Sequence, residues 1–162
     1  IIGGGDANYE QFLKAEAKRL ELDNVRFTGF QSGAAKDAAL ASLSVLAMPS
    51  EFENYGMVIA EGLIRGIPCI ATTGSPWEEL RTEDCGWWVP YSRQSLTEAV
   101  KEALQTPAER LRQMGERGRR LVESRYSVDA IARQMKSLYE WVSGKDVRPG
   151  FVHEIEKNYA QV

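Results

Sequence analysis

Short apolar runs alternate with amphipathic stretches over the first hundred residues, and this alternation constrains the fold more than any other feature. The runs are Ile1-Ile2, Val25 to Phe27, Ser44 to Met48, Ile67 to Ala71 and Gly86 to Val89. Each is too short for a helix and is bounded by Gly, Pro or Ser, so each reads as a buried strand. Helical periodicity fills the intervals, over Asn8 to Glu21, Ala34 to Ser42, Tyr55 to Arg65 and Gln94 to Leu104. Strand and helix in alternation predict an α/β fold, a parallel sheet flanked by helices.

After Thr106 the pattern turns to helix only. Pro107 suits a first helical turn, and Leu111, Met114, Leu121 and Val122 form an apolar stripe behind it. Gly115 and Gly118 weaken that helix by about 1 kcal/mol each relative to Ala, which predicts close packing against a neighbour. Ser127 is placed to cap a last helix through Ala130, Ile131, Met135, Leu138 and Trp141, ending near Gly144. The expected domain is 1–145, with C-terminal helices extending from the sheet. A tail over 146–162 carries Pro149, Phe151 and the single His153, for which a surface role is expected.

A chain of 162 residues has room for a core without disulfides, because chains of roughly 150 residues bury about 68–70% of their unfolded surface. Cys69 and Cys85 therefore read as reduced thiols. With 23 acidic against 20 basic residues the net charge is −3, which argues against general nucleic-acid binding and leaves room for one phosphate pocket. No apolar run is long enough to span a membrane, and no signal peptide is recognisable, so a cytoplasmic location is expected. The chain opens at Ile1 without a Met and reads as cut from something longer.

The chemistry concentrates in Pro49 to Pro68. Open parallel sheets bind ligands outside the carboxyl ends of their strands, where the loop after Met48 falls. The following helix is nearly all apolar, through Tyr55, Met57, Val58, Ile59, Ala60, Leu63 and Ile64, so Glu61 among them requires a partner. Helical side chains lean toward the N-terminus, which aims Glu61 back at the start of its own helix. The unpaired amides of Tyr55, Gly56, Met57 and Val58, with the positive end of the dipole, suit a phosphate. Glu61 would then meet a ribose, and Glu53 whatever lies beyond the phosphates. Other readings of the same residues are open: Glu53 complementing the helix dipole, Glu61 bridging to an Arg, Gly56 as a plain turn. Gly66 reads as a left-handed helix stop.

Glu53 and Glu61, seven residues apart within Pro49-Ser50-x-x-Glu53-Asn54-Tyr55-Gly56-Met57-Val58-Ile59-Ala60-Glu61-Gly62-Leu63, resemble the donor-site signature of retaining GT-B glycosyltransferases. Gly3-Gly4-Gly5-Asp6, Val25-Arg26-Phe27-Thr28-Gly29, Gly66 to Thr72, Gly74-Ser75-Pro76-Trp77-Glu78-Glu79 and Gly86-Trp87-Trp88-Val89 resemble that family's other elements in order, over about residues 1–142. The resemblance implies a Rossmann-like donor domain, the C-terminal half of an enzyme that transfers a hexosyl group from a nucleotide-diphosphate sugar with retention. It implies Glu53 as the catalytic-site carboxylate on the donor sugar, together with Asn54. The backbone of Tyr55, Gly56, Met57 and Val58 would hold the diphosphate, Glu61 the ribose and backbone at Arg26 the nucleobase.

The family needs no metal or cofactor, and the sequence has no Asp-x-Asp pair and no His/Cys cluster. The expected partners are a nucleotide sugar and, through an absent N-terminal domain, a saccharide or lipid-linked saccharide acceptor. That acceptor would place the full-length enzyme at the inner face of the membrane, with polysaccharide synthesis as its setting. Nothing here matches the family's upstream strand and its diphosphate-clamping Arg and Lys. The first strand of the domain is thus expected to be missing, and self-association of the cut chain is expected to follow. The rival readings are a non-catalytic nucleotide-sugar or polyphosphate-binding module, a phosphorylase or epimerase on the same scaffold, and a nicotinamide-dependent enzyme. For the last, Gly3, Gly5 and Asp23 fit a dinucleotide fingerprint, but Asn8 stands where its third glycine belongs.

Overall fold

The computed structural model describes residues 1–153; the part of the predicted tail beyond His153 lies outside the described residues. Three parallel strands in the order β1 (Leu46–Met48), β2 (Cys69–Thr72), β3 (Gly86–Val89) form the sheet. Helices α1 (Ala7–Arg19) and α2 (Gly33–Ala41) precede β1, α3 (Met57–Ile64) joins β1 to β2, and a short α4 (Glu79–Thr82) joins β2 to β3. Then come α5 (Arg93–Gln105), α6 (Ala108–Leu121), a π-helical turn (Val122–Tyr126) and α7 (Val128–Val142).

Every residue of β2 is buried, because the sheet is covered on both sides. Side chains alternate across it. Cys69 and Ala71 face a core with Leu46, Met48, Ile59, Leu63, Trp77, Leu80, Leu121 and Val122. Ile70 faces the other way, onto Trp87, Ala99, Ala103 and Met114. The amphipathic α6 contributes to both, through Met114 and Leu121.

The three later strands match the sequence expectation; the first two do not. Ile1-Ile2 and Val25 to Phe27 are not strands of the sheet. They pair with each other instead: Thr28 N–H donates to Ile1 C=O at 3.0 Å and Gly3 N–H to Gly29 C=O at 2.9 Å. The α1 helix buries none of its residues, and Tyr9 and Phe12 stack in the open. Pro107 is the cap of α6 and not its first turn, whereas Ser127 caps α7 as expected, its hydroxyl accepting from the Ala130 amide at 3.2 Å.

The glycines of α6 do mark close packing. A Cβ on Gly115 would overlap the backbone carbonyl of Gly66, and one on Gly118 would stand 2.6 Å from Leu63 Cδ2. Gly66 is left-handed at φ 76°, so one glycine stops α3 while the other lets α6 rest on that stop. Arg119 completes the contact by donating to the Ile64 carbonyl at 3.1 Å, one of the orphan acceptors of the α3 C-terminus.

Cys69 and Cys85 are both free and fully buried. Burial pushes both thiols up, that of Cys85 to about 12, with Glu83 adding to its shift.

Gly115→Ala is therefore expected to destabilise by about 1–3 kcal/mol in urea unfolding, since backbone cannot yield as a side chain would. Gly150→Ala, which meets nothing within 4 Å, should be silent. The thiols should resist alkylation at pH 8 in the folded chain and react once it is unfolded. Stability should also fall as pH rises above 9, because the unfolded thiols then ionise while the folded ones stay protonated.

Candidate functional site

β1 stops at Pro49, which cannot donate to a ladder, and the chain enters the loop 50–56 above the strand ends. The end of β2 and the segment after it hold that loop at three points. The Thr72 hydroxyl donates to the Ser50 carbonyl, the Glu53 amide donates to the Gly74 carbonyl at 2.9 Å, and the Trp77 indole N–H donates to the Tyr55 carbonyl. Gly74 has to be glycine here, since a Cβ would overlap the carbonyl of Glu51.

Trp77, fully buried, is also the centre of an aromatic cluster. Its ring lies 5.4 Å from Tyr55 and 5.2 Å from Tyr126, the last residue of the π-helical turn. The Tyr126 hydroxyl donates to Glu79 Oε1 at 2.8 Å. Burial and that carboxylate together push the phenol well above its ordinary range, so it stays a donor.

The sequence placed the start of α3 near Tyr55; the structure starts it at Met57. Gly56 is the cap, in the left-handed region at φ 78°. Tyr55 thus lies outside the helix, with its carbonyl already engaged. The free helix-end donors are the amides of Gly56, Met57 and Val58, which have no partner among the described residues, while Ile59 N–H closes back on Gly56 C=O at 2.9 Å. Glu53 stands directly against this cap: a Cβ on Gly56 would lie 3.2 Å from Glu53 Cγ and 2.9 Å from Met48 Cε. Asn54 is exposed beside it. Three unpaired amides at the positive end of a helix form an anion-binding geometry, and an acidic side chain flanks it.

Glu61 lies on the next turn of α3. Its side chain is 28% exposed and its partner is a lysine, not an arginine: Lys36 Nζ approaches Glu61 Oε1 at 2.6 Å. The face expected to be covered is only partly so, since Met57 is 64% and Ile64 37% exposed. A second ion pair runs beside the first, from Asp37 Oδ1 to Arg65 Nη2 at 2.5 Å, and Arg65 Nη1 donates to the Glu61 carbonyl at 2.8 Å. Together they tie α2 to α3.

The structure therefore brings Glu53, Gly56, Met57, Val58 and Glu61 onto one helix and its entry loop. Arg26 lies on the extended segment paired with the N-terminus, where its carbonyl accepts from Ile1 N at 2.5 Å. His153 is exposed and distant in sequence from these groups. The residues that sequence reasoning missed are Lys36, Gly74, Trp77 and Tyr126 as supports of the site. Contacts across 21 to 71 residues leave no periodic trace, and the one signal was the adjacent Lys36 and Asp37 in an otherwise alanine-rich helix.

Comparison with known proteins identifies the family of the chain. The family described as glycosyl transferases group 1 matches residues 1–121. The chain is 30% identical over 115 residues to the alpha-1,3/1,6-mannosyltransferase alg2 of Schizosaccharomyces pombe, covering 70% of this chain and 23% of that protein. It is 32% identical over 120 residues to the N-acetyl-alpha-D-glucosaminyl L-malate synthase of Bacillus anthracis, covering 72% and 30%. Among solved structures, the sucrose-phosphate synthase of Thermosynechococcus elongatus superposes with a TM-score of 0.70 at 27% identity, over 90% of this chain and 38% of that one. Anabaena HepE in complex with UDP superposes with a TM-score of 0.72 at 23% identity, over 88% and 40%. The chain thus spans 23% and 30% of these two curated relatives and under half of the solved structures. Its α/β fold is the one shared by GT-B glycosyltransferases. With three quarters of its length matched, the chain belongs to the glycosyl transferases group 1 family.

Proposed function

We propose that this domain binds a nucleotide-diphosphate sugar at the N-terminus of α3 and serves, within a longer enzyme, as the donor half of a retaining hexosyltransferase. The observation that carries the reading is the row of unpartnered amides at Gly56, Met57 and Val58, with Glu53 against the cap and Glu61 on the turn below. A diphosphate there accepts from the amides. Tyr55 contributes its own N–H from the loop. The sugar then lies toward Glu53 and Asn54, and the ribose toward Glu61. Backbone at Arg26 is assigned to the nucleobase. HepE, which has the same fold, was solved with UDP and with UDP-glucose, and this supports a nucleotide sugar as the ligand class.

In this mechanism the domain acts by binding and by electrostatics. Breaking the bond between sugar and diphosphate builds negative charge on the leaving phosphate, and fixed amides at a helix end stabilise that charge as it develops. Glu53, on the sugar hydroxyls, orients the ring. Glu61 is engaged by ribose and by Lys36, so the two carboxylates do not form the acid and nucleophile pair of a glycosidase. No metal is assigned a role. The acceptor, saccharide or lipid-linked saccharide, is assigned to the remainder of the enzyme.

A thermal scan of this chain with UDP, GDP and ADP tests the reading. The matching nucleotide at a hundred times its dissociation constant should add about 2.7 kcal/mol of stability. Glu61→Ala should remove that gain. Glu53→Ala should leave the nucleoside diphosphate affinity alone and erase only the additional affinity contributed by the sugar. If no nucleotide raises the melting temperature, the reading fails. Retention is read separately, from the anomeric configuration of the product of the longer enzyme by NMR.

A further inference from the structure

We propose that Lys36 is the positioning residue for Glu61, and that this pair makes the site prefer ribonucleotides to deoxyribonucleotides. The inference rests on the assignment of Glu61 to the ribose. A glutamate carboxylate turns about a broad terminal torsion unless something holds it. Here Lys36 Nζ holds Oε1 at 2.6 Å, with both side chains partly withdrawn from solvent.

The lysine is not a loose surface partner. It projects from α2, which reaches the main core through Leu40, 2% exposed, and is joined to α3 also by the neighbouring Asp37–Arg65 pair. Arg65 also donates to the main-chain carbonyl of Glu61, so the residue is held at both its side chain and its backbone.

The chemistry of the pair fits a diol. An ionised carboxylate accepts at about four lone-pair positions and donates nowhere. Lys36 engages one oxygen from one side and leaves Oε2 with no partner among the described residues, open to a hydroxyl donor. The ammonium also offsets a second problem. Glu53 and Glu61 are both acids beside a helix end proposed to hold a diphosphate, and like charges close together disfavour the anion. Pairing with Lys36 offsets the Glu61 share of that repulsion while occupying one carboxylate oxygen.

The test is isothermal titration of the full chain with UDP, GDP and ADP and with the 2′-deoxy form of each. The unaltered chain should bind the ribonucleotide of its preferred base roughly tenfold more tightly than the deoxy form, the scale of one charge-assisted hydrogen bond. Glu61→Ala should bring that ratio to near one. Lys36→Met should do the same, and Lys36→Arg should keep most of the preference, with melting temperatures verifying that each variant is folded.

A Lys36→Met chain that keeps the full ratio, or that loses affinity equally for both forms, overturns the proposal while leaving Glu61 on the ribose. If Lys36→Met does not fold, Lys36→Gln is measured in its place; if neither folds, Lys36 is a structural bridge and the proposal is wrong. A wild-type ratio near one, a ratio that survives Glu61→Ala, or binding of none of the six nucleotides removes the Glu61 assignment and this inference with it.

Discussion

A four-residue strand buried on both faces is the constraint around which the molecule is organised. Cys69, Ile70, Ala71 and Thr72 have no solvent side, so each face must be roofed by helix, and each roof must approach closely enough to exclude water. The approach on one face is set by glycine against glycine, Gly66 beneath Gly115, and the apolar α3 fills the space between. The same strand delivers the chain into the 72–77 segment, which grips the loop above β1. Core and site are therefore continuous: Thr72 is at once the end of the buried strand and the first clamp on the loop carrying Glu53.

Much of this is legible in the sequence. The runs Ser44 to Met48, Ile67 to Ala71 and Gly86 to Val89 became strands because each lies between turn residues and is apolar on both faces, which only a covered sheet accommodates. Ile1-Ile2 and Val25 to Phe27 have the same local signal and failed to join. Joining depends on a neighbour of the right register, which is a property of the whole sheet and not of the run. The π-helical turn was invisible for a related reason. Nothing in Val122 to Tyr126 departs from helical periodicity, and the turn is explained only by where Tyr126 ends up, against Trp77 and Tyr55.

The candidate site divides in the same way. Glu53, Gly56 and Glu61 could be picked out because spacing on one helix is a local matter. Their supports could not, because Lys36 reaches Glu61 across 25 positions and Trp77 reaches Tyr55 across 22. The sequence raised the right question about Glu61, a carboxylate on an apolar helix that needs a partner; of its open readings, the bridge to an Arg gives way to one with Lys36. The helix face that carries it is half open, with Met57 and Ile64 exposed on either side.

The indole at the centre of the aromatic cluster has a property beyond packing. Trp77 is fully buried, and its N–H is bound to the carbonyl immediately preceding the left-handed cap of α3. Any rotation of the Tyr55–Gly56 peptide must lengthen or bend that bond, and the polarity around the ring changes with it. The fold therefore contains its own optical gauge of the loop, an ultraviolet fluorophore bonded to one peptide plane, which is read without a label once Trp87, Trp88 and Trp141 are replaced.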